Sequence, residues 1–543
     1  MRTIEEILFE LVAIRSDTGT PLECDVARKI RELLDEEPYF RSHPEYCGCF
    51  ERGDIFKRPV VWALKKGLGS RTLILMGHYD AVEIESYGLL KPYALSPLKL
   101  KEKMLEEGTG DESLRADLAG GDWLPGRGIG DMKAGLAINM HTLFSCEPAN
   151  LNILFVAVPD EENMSSGALQ SVYLYEELKE KFGLDYAMCL ISEPQIRAGG
   201  EKGDITMYSG TMGKFLPLVM AKGVLTHAAE ILHGLNSSFI IAEIIHNMEL
   251  TTDLVSSDRG AFTQPPTVQI MRDLKTTYDV SVPEYSVLGL NVLFLGDRPP
   301  SSLLQSLMDI CRRSMDSVIA RYNSAFDFMR DRGFIGESSR KKFRGSVMTL
   351  SDLRDAVRDR CGGEYESFAA DLDARVKSEV ESGRMTQQNA SVYIMKSLLD
   401  KSGITDPVAV VGVSPPYYPA TCNEELGRDT ADYTRGLSEW MKTRFGVGVE
   451  ETSYLSGMTD MSYMSCCDPV SDRAFLRNLA IPEGVYDVPV ERMARLNIPS
   501  FLVGPAGRNI HQAWERVYMP DVRERIPELF RRIAGIMDEP ARP

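Results

Sequence analysis

Leu73-Ile-Leu-Met-Gly-His78-Tyr-Asp80 is an apolar run that stops at a histidine and places a carboxylate two residues further on. In an extended chain, residues two apart share a face, so the imidazole and the carboxylate point the same way. A neutral imidazole is a good zinc ligand, and a nearby carboxylate that accepts its second ring proton fixes the tautomer and raises its basicity. Taken alone, His-x-Asp at a strand end is more often a hydrogen-bonded surface pair. The recurrence of the same construction changes that reading.

Three further apolar runs end in metal-type residues. Asn152-Ile-Leu-Phe-Val-Ala-Val158 leads into Pro-Asp160-Glu161-Glu162, Tyr186-Ala-Met-Cys-Leu-Ile191 into Ser-Glu193-Pro, and Pro499-Ser-Phe-Leu-Val503 into Gly-Pro-Ala-Gly-Arg508-Asn-Ile-His511. Continuous apolar runs of strand length suit strands buried on both faces. They alternate with helical patterns, as at 4–15 and about 23–36, which predicts an α/β sheet whose ligands lie beyond the carboxyl ends of its strands. Four strands then deliver His78, Glu161 with Glu162, Glu193 and His511 to one rim. Asp131 joins them from Gly126-Arg-Gly-Ile-Gly130-Asp131-Met-Lys-Ala-Gly, which opens a helical pattern through Leu136, Met140 and Leu143. That stretch is no dinucleotide fingerprint, because Asp131 stands where the third glycine is needed and no apolar strand precedes it. Capping the helix is the plainer role for Asp131.

A chain of 543 residues exceeds one ordinary core, so two domains are expected. Between the Glu193 and His511 strands lies a differently patterned stretch. It predicts an inserted α+β domain at 203–418 with extra helices at about 302–402, leaving 1–202 and 419–543 as the catalytic domain. Val408-Ala-Val-Val-Gly-Val reads as a strand closed by Pro415-Pro-Tyr-Tyr-Pro, a stiff domain exit. Residues 83–125 hold few apolar runs and read as a long functional loop.

With 61 basic and 79 acidic residues the formal charge is −18, which argues against nucleic acid as a partner. Ten cysteines are scattered without a Cys-x-x-Cys pair and read as reduced thiols. The opening Met1-Arg-Thr-Ile-Glu-Glu has no signal pattern, and no apolar run approaches ~18 residues, so a cytoplasmic protein without a membrane span is expected.

Two histidines with carboxylates from strand ends and one aspartate suited to bridging match a pair of divalent ions. Zinc takes such donors at ~2.0–2.2 Å, and a shared carboxylate lets two ions sit ~3.5–4 Å apart. In the Glu161-Glu162 doublet one carboxylate can bind metal while the other stays free to take a proton from water. An acidic doublet is otherwise usually a solvated turn. Gly-x-Ser-x-Gly, His-Glu-x-x-His and phosphate-loop motifs are absent from the sequence.

Gly77-His78-Tyr-Asp80, Gly128-Ile-Gly-Asp131-Met-Lys-Ala-Gly135, Asp160-Glu161-Glu162, Ser192-Glu193-Pro194 and the late His511 resemble, in order and spacing, the co-catalytic zinc exopeptidases and amidohydrolases. That family includes carboxypeptidase G, aminoacylase and succinyl-diaminopimelate desuccinylase. The texture of residues 77–88 and of Pro415-Pro-Tyr-Tyr-Pro is most like its RocB arginine-utilisation branch. The resemblance implies a mixed-sheet α/β catalytic domain with an inserted lid and dimerisation domain. It further implies that His78 and Glu193 hold one metal, Glu162 and His511 the other, and that Asp131 bridges them, with a cis peptide after it. Asp80 would orient His78 and Glu161 would be the general base. His227, in Gly223-Val-Leu-Thr-His227-Ala, would steady the oxyanion, from a partner subunit in homodimers. Arg508 and the Gly457-Met-Thr-Asp460 loop lie where the family presents groups to a substrate carboxylate, although a surface ion pair is the equal alternative for Arg508. Glu162-Asn-Met-Ser-Ser-Gly167 departs from the family's usual Ile/Val-Gly-Ser continuation, and the inserted domain is larger than its usual lid.

The expected protein is a dinuclear zinc hydrolase, with cobalt or manganese as alternatives, cleaving an amide bond of a small peptide or N-acyl amino acid, with arginine and amino-acid degradation as its setting. A short-peptide exopeptidase is the nearer alternative. A non-catalytic metal-dependent binding protein is the further one, disfavoured by a spare base it would not need.

Overall fold

The computed structural model describes residues 2–107, 111–197 and 200–539, which form two compact units. The first comprises Met1–Thr211, Thr421–Cys467 and Pro489–Pro543, the second Met212–Ala420 and Asp468–Val488.

The first unit is built on an eight-stranded mixed sheet. Its order is Cys47–Phe50, Val60–Lys65, Asn152–Val158, Arg71–His78, Asp185–Ile191, Ser500–Leu502, Ile205–Tyr208, Val449–Thr452. Asn152–Val158, Arg71–His78, Asp185–Ile191 and Ser500–Leu502 run parallel, with His78 level with Val158, Met76 with Ile191, and Ile191 with Leu502. Their carboxyl ends therefore share one rim. These strands are apolar throughout because both faces are covered. Leu73, Leu75, Ile153, Phe155, Met188 and Leu190 share a core with helices Ile4–Val12, Glu23–Glu36, Ala134–Ser145 and Ile526–Asp538. The alternate residues face the other way, where the Tyr175 hydroxyl of helix Ser166–Phe182 meets Met76 Sδ at 3.5 Å.

The stretch at 83–125, expected as a loop, instead carries helices Pro97–Glu107 and Glu112–Gly120 after a 3-10 segment, Glu85–Tyr93. Their narrow apolar stripe (Tyr87, Leu90, Leu100, Met104, Leu114, Leu118) closes a small satellite core, too sparse to stand out as a sequence period.

The second unit has a five-stranded sheet ordered Thr267–Asp273, Tyr285–Phe294, Gly213–Lys222, Val408–Tyr418, Ser346–Thr349, antiparallel except for its last pair. Helix Ser237–Met248 packs against two of the central strands, and Pro300–Asp331, Leu350–Cys361, Tyr365–Glu381 and Gln387–Ser402 follow the sequence expectation of extra helices. Pro415-Pro-Tyr-Tyr-Pro stands at the end of the segment Met212–Ala420, just before the chain returns to the first unit at Thr421. Pro415 and Pro416 lie inside a strand, and since neither proline can donate, the ladder skips from Ser414↔Leu216 to Tyr418↔Lys214. The expected division, with 419–543 wholly in the catalytic domain, differs at Asp468–Val488, which groups with the second unit. Phe475 packs 5.2 Å from Phe215 and 5.3 Å from Tyr417, and Leu479 bridges to Val413. Strand Gly210–Thr211 pairs with Thr421–Cys422, so the chain leaves and re-enters the first unit at adjacent points. All ten cysteines are free, and no helix among the described residues is long and apolar enough to cross a membrane.

Candidate metal centre

The rim of the four parallel strands gathers the residues singled out by the sequence. His78 ends its strand fully buried. Its Nδ1 lies 3.1 Å from the Asp80 carbonyl oxygen and 3.3 Å from Asp80 Oδ1, which directs Nε2 toward Asp131 Oδ1 at 3.0 Å and Glu193 Oε1 at 3.5 Å. Asp80 also accepts the backbone N–H groups of Glu161 (3.1 Å) and Glu162 (3.2 Å), so one buried carboxylate both orients the histidine and shapes the acidic turn. Burial pushes the Asp80 carboxyl up, but the hydrogen bond and charge of His78, with the Glu161 N–H, outweigh it and leave it below its ordinary value.

Asp131 sits in the turn before helix Ala134–Ser145, and the peptide bond to Met132 is cis. Its second oxygen, Oδ2, faces His511 Nε2 at 3.2 Å, and the same nitrogen lies 2.8 Å from Glu162 Oε1. The result is two donor groups, His78–Asp131–Glu193 and Asp131–Glu162–His511, each with its ligand atoms within 4.8 Å of one another and both using Asp131. His43, His141, His233 and His246 join neither.

The electrostatics show what this donor set lacks. Glu193 is pushed up to about 8, first by burial and then by Asp131, with His78 pulling the other way. Burial and Asp131 raise Glu162, and burial raises Glu161 well above the ordinary carboxylate range. His511, between Asp131 and Glu162, is drawn up to about 10 by hydrogen bonds to those two carboxylates. Buried carboxylates outnumber the two imidazoles that face them, and this set of borderline donors fits divalent cations, which would supply the missing charge. Glu161 has a committed backbone, but no hydrogen bond or ion pair to its carboxylate is found among the described residues. Asp460 is buried nearby, with Oδ1 unpartnered.

Close approach between elements assembles the site. A side chain at Gly135 would meet the Ser192 carbonyl oxygen at 2.3 Å, so glycine lets the Asp131 helix touch the Glu193 strand. Asn139, on that helix, donates to the Met76 carbonyl (3.0 Å) and accepts from Ser192 Oγ (2.6 Å), binding it to both neighbouring strands.

Sequence reasoning missed the supporting polar residues. Glu515 Oε1 accepts the N–H groups of Gly130 (3.1 Å) and Asp131 (3.4 Å), while Oε2 takes Arg127 Nη1 at 2.6 Å. Arg127 Nη2 donates in turn to the His511 carbonyl oxygen at 3.3 Å. On the other side, Arg58 lies among Glu23 (2.6 Å), Asp54 (2.6 Å) and Asp160 (2.8 Å), pinning Asp160, which has φ +68°, at the head of the acidic turn.

Two expectations fare differently. Arg508 is engaged in ion pairs, holding Asp117 at 2.6 Å through Nη1 and Glu201 at 2.9 Å through Nη2 over the Trp123 ring, the arrangement of the ion-pair alternative. His227 belongs to the second unit, exposed, with Nδ1 accepting from Ala229 N at 3.1 Å, which leaves the ring proton on Nε2.

Comparison with known proteins agrees with this geometry. The profile of Peptidase family M20/M25/M40 matches residues 74–494. Bacillus subtilis (strain 168) YqjN is 30% identical over 531 residues, covering 96% of this chain and 94% of that protein. RocB of the same organism is 26% identical over 549 residues, covering 97% and 94%. Among solved structures, the M20 family metallo-carboxypeptidase Sso-CP2 from Sulfolobus solfataricus superposes with a TM-score of 0.53 at 12% identity, covering 99% of this chain and 100% of that one, a likeness of fold.

Proposed function

The chain belongs to peptidase family M20/M25/M40, and on that premise we propose that it is a two-metal hydrolase cleaving the amide bond of a short peptide or an N-acyl amino acid. The observation that carries the proposal is Asp131, whose two oxygens face two different histidines beside Glu161, whose carboxylate has no hydrogen bond or ion pair among the described residues. In this reading His78, Asp131 and Glu193 hold one ion, and Asp131, Glu162 and His511 the other. Zinc is the proposed metal, with cobalt and manganese as substitutes. When bound, the ions supply Lewis acidity toward the scissile carbonyl and lower the pKa of a nearby water. Asp80 keeps the His78 proton on Nδ1, leaving the Nε2 lone pair for metal. The Glu161 carboxylate, starting ionised and with its proton affinity raised by burial, takes the proton of the attacking water and returns it to the leaving nitrogen. His227 is the proposed oxyanion donor through its Nε2–H. Homodimer formation through the inserted unit and a place in arginine degradation complete the proposal, the latter supported by the likeness to RocB.

The test is turnover of a panel of dipeptides, tripeptides and N-acyl amino acids, including acylated arginine and ornithine, by chelated protein before and after Zn²⁺, Co²⁺ or Mn²⁺ is returned. Cleavage restored by metal is the expected result. No cleavage of any amide at full metal loading would leave a binding protein as the better reading. His227→Ala should lower kcat with KM little changed.

A further inference from the structure

The helices Leu350–Cys361, Tyr365–Glu381 and Gln387–Ser402 take no part in the metal centre, yet they enclose space. Together with the returning segment Asp468–Val488 they wall a cavity of about 370 Å³, within the size range of small-molecule sites. Every lining residue belongs to the second unit, and none is a donor of the metal centre.

One part of its wall is apolar, with Leu372, Ile394 and Leu398 on the helices and Leu476, Ile481 and Val488 on the returning segment. The remainder carries charges of both signs. Arg354 donates through Nη1 to the Arg477 carbonyl (2.6 Å) and through Nη2 to the Leu479 carbonyl (2.9 Å), which fixes its guanidinium at the cavity and leaves further N–H groups there. Arg477 stands at the rim, 3.5 Å from Asp355. Asp373 and Glu483 make no ion pair among the described residues. Asp373, Glu483 and Arg477 are solvent-exposed and line the cavity from its open side, while Arg354 is half-buried. An anion alone would meet Asp373, Glu483 and Asp487, a cation alone would meet Arg354, Arg473 and Arg477, and an apolar ligand would satisfy none of them. A ligand with both charges and an apolar body suits all of them.

We propose that this cavity binds a free α-amino acid with an apolar side chain. Arg354 and Arg477 receive its carboxylate, Asp373 and Glu483 its ammonium group, and the leucine and isoleucine wall its side chain. The inference does not rest on the catalytic reading; if that reading holds, an amino acid is also the class of product the enzyme releases.

Calorimetric titration of the full chain with L-leucine, L-methionine and L-phenylalanine tests it, in metal-loaded and chelated protein alike. At least one should bind at one per chain, with the same affinity in both preparations. Isocaproate, lacking the ammonium group, and isoamylamine, lacking the carboxylate, should bind at least tenfold more weakly. Arg354→Gln and the double variant Asp373→Asn/Glu483→Gln should each lose at least tenfold, and Ala369→Trp, which fills the cavity from its wall, should abolish binding. Absence of binding by all three amino acids overturns the proposal, as does equal binding of the one-charge analogues or an affinity that Ala369→Trp leaves unchanged. Should a variant fail to fold, the analogue series on the unaltered chain still decides.

Discussion

Asp131 has an imidazole at each of its oxygens, whereas Glu161, at the same rim, has none. That asymmetry separates holding a metal from moving a proton. Glu161→Gln should therefore retain two metals per chain by elemental analysis while kcat falls about 10²–10⁴-fold, the usual contribution of a general base; loss of metal instead would make Glu161 a ligand. Glu515 works one step further back. Glutamine there keeps an acceptor for the Gly130 and Asp131 amides but turns an N–H group against Arg127, releasing the contact Arg127 makes with the His511 loop. Glu515→Gln should weaken metal binding about 10–100-fold, as changes behind a ligand usually do. Titration against a metal buffer, with circular dichroism confirming a folded chain, separates this positioning role from simple destabilisation.

At the scale of elements, the acidic turn after Val158 is held from below by one guanidinium among three buried carboxylates, Glu23, Asp54 and Asp160. One positive charge cannot neutralise three negative ones, and Glu23 is pushed up to about 9 by burial and by Asp80, with Arg58 only partly offsetting them. For an acid raised in this way, the folded state keeps a proton that the unfolded chain has lost between its ordinary value of 4.5 and about 9. Stability then falls as pH rises through that window, by up to about 1.4 kcal/mol per pH unit for one proton. Glu23→Gln should flatten the dependence of Tm on pH between those limits, and an unchanged slope would show that Glu23 is ionised in the fold. The strands and their metal-type ends were legible because a strand buried on both faces needs an unbroken apolar run, and each run stops where the chemistry begins. The supports were not legible. Arg127 and Glu515 are 388 residues apart, and a pair at that distance leaves no period or spacing in the chain. The return of Asp468–Val488 to the second unit escaped for the same reason, since its aromatic contacts are all to residues far back in the sequence.

For the molecule as a whole, all five proposed metal ligands belong to the first unit, although they span residues 78 to 511, and the amino-acid cavity belongs to the second. Metal binding would therefore join the segment Met1–Thr211, which carries four of the ligands, to Pro489–Pro543, which carries His511. A ligand that binds only the folded state stabilises it by RT ln(1 + [L]/Kd), about 2.7 kcal/mol at a hundredfold excess over Kd. The second unit gains none of that directly. Scanning calorimetry with and without a chelator should show a melting component that falls with metal removal and one that stays in place, while the apolar amino acid should raise the component that the chelator leaves alone. If chelation lowers every part of the transition equally, the two units unfold as one and the stability from metal is shared across the chain.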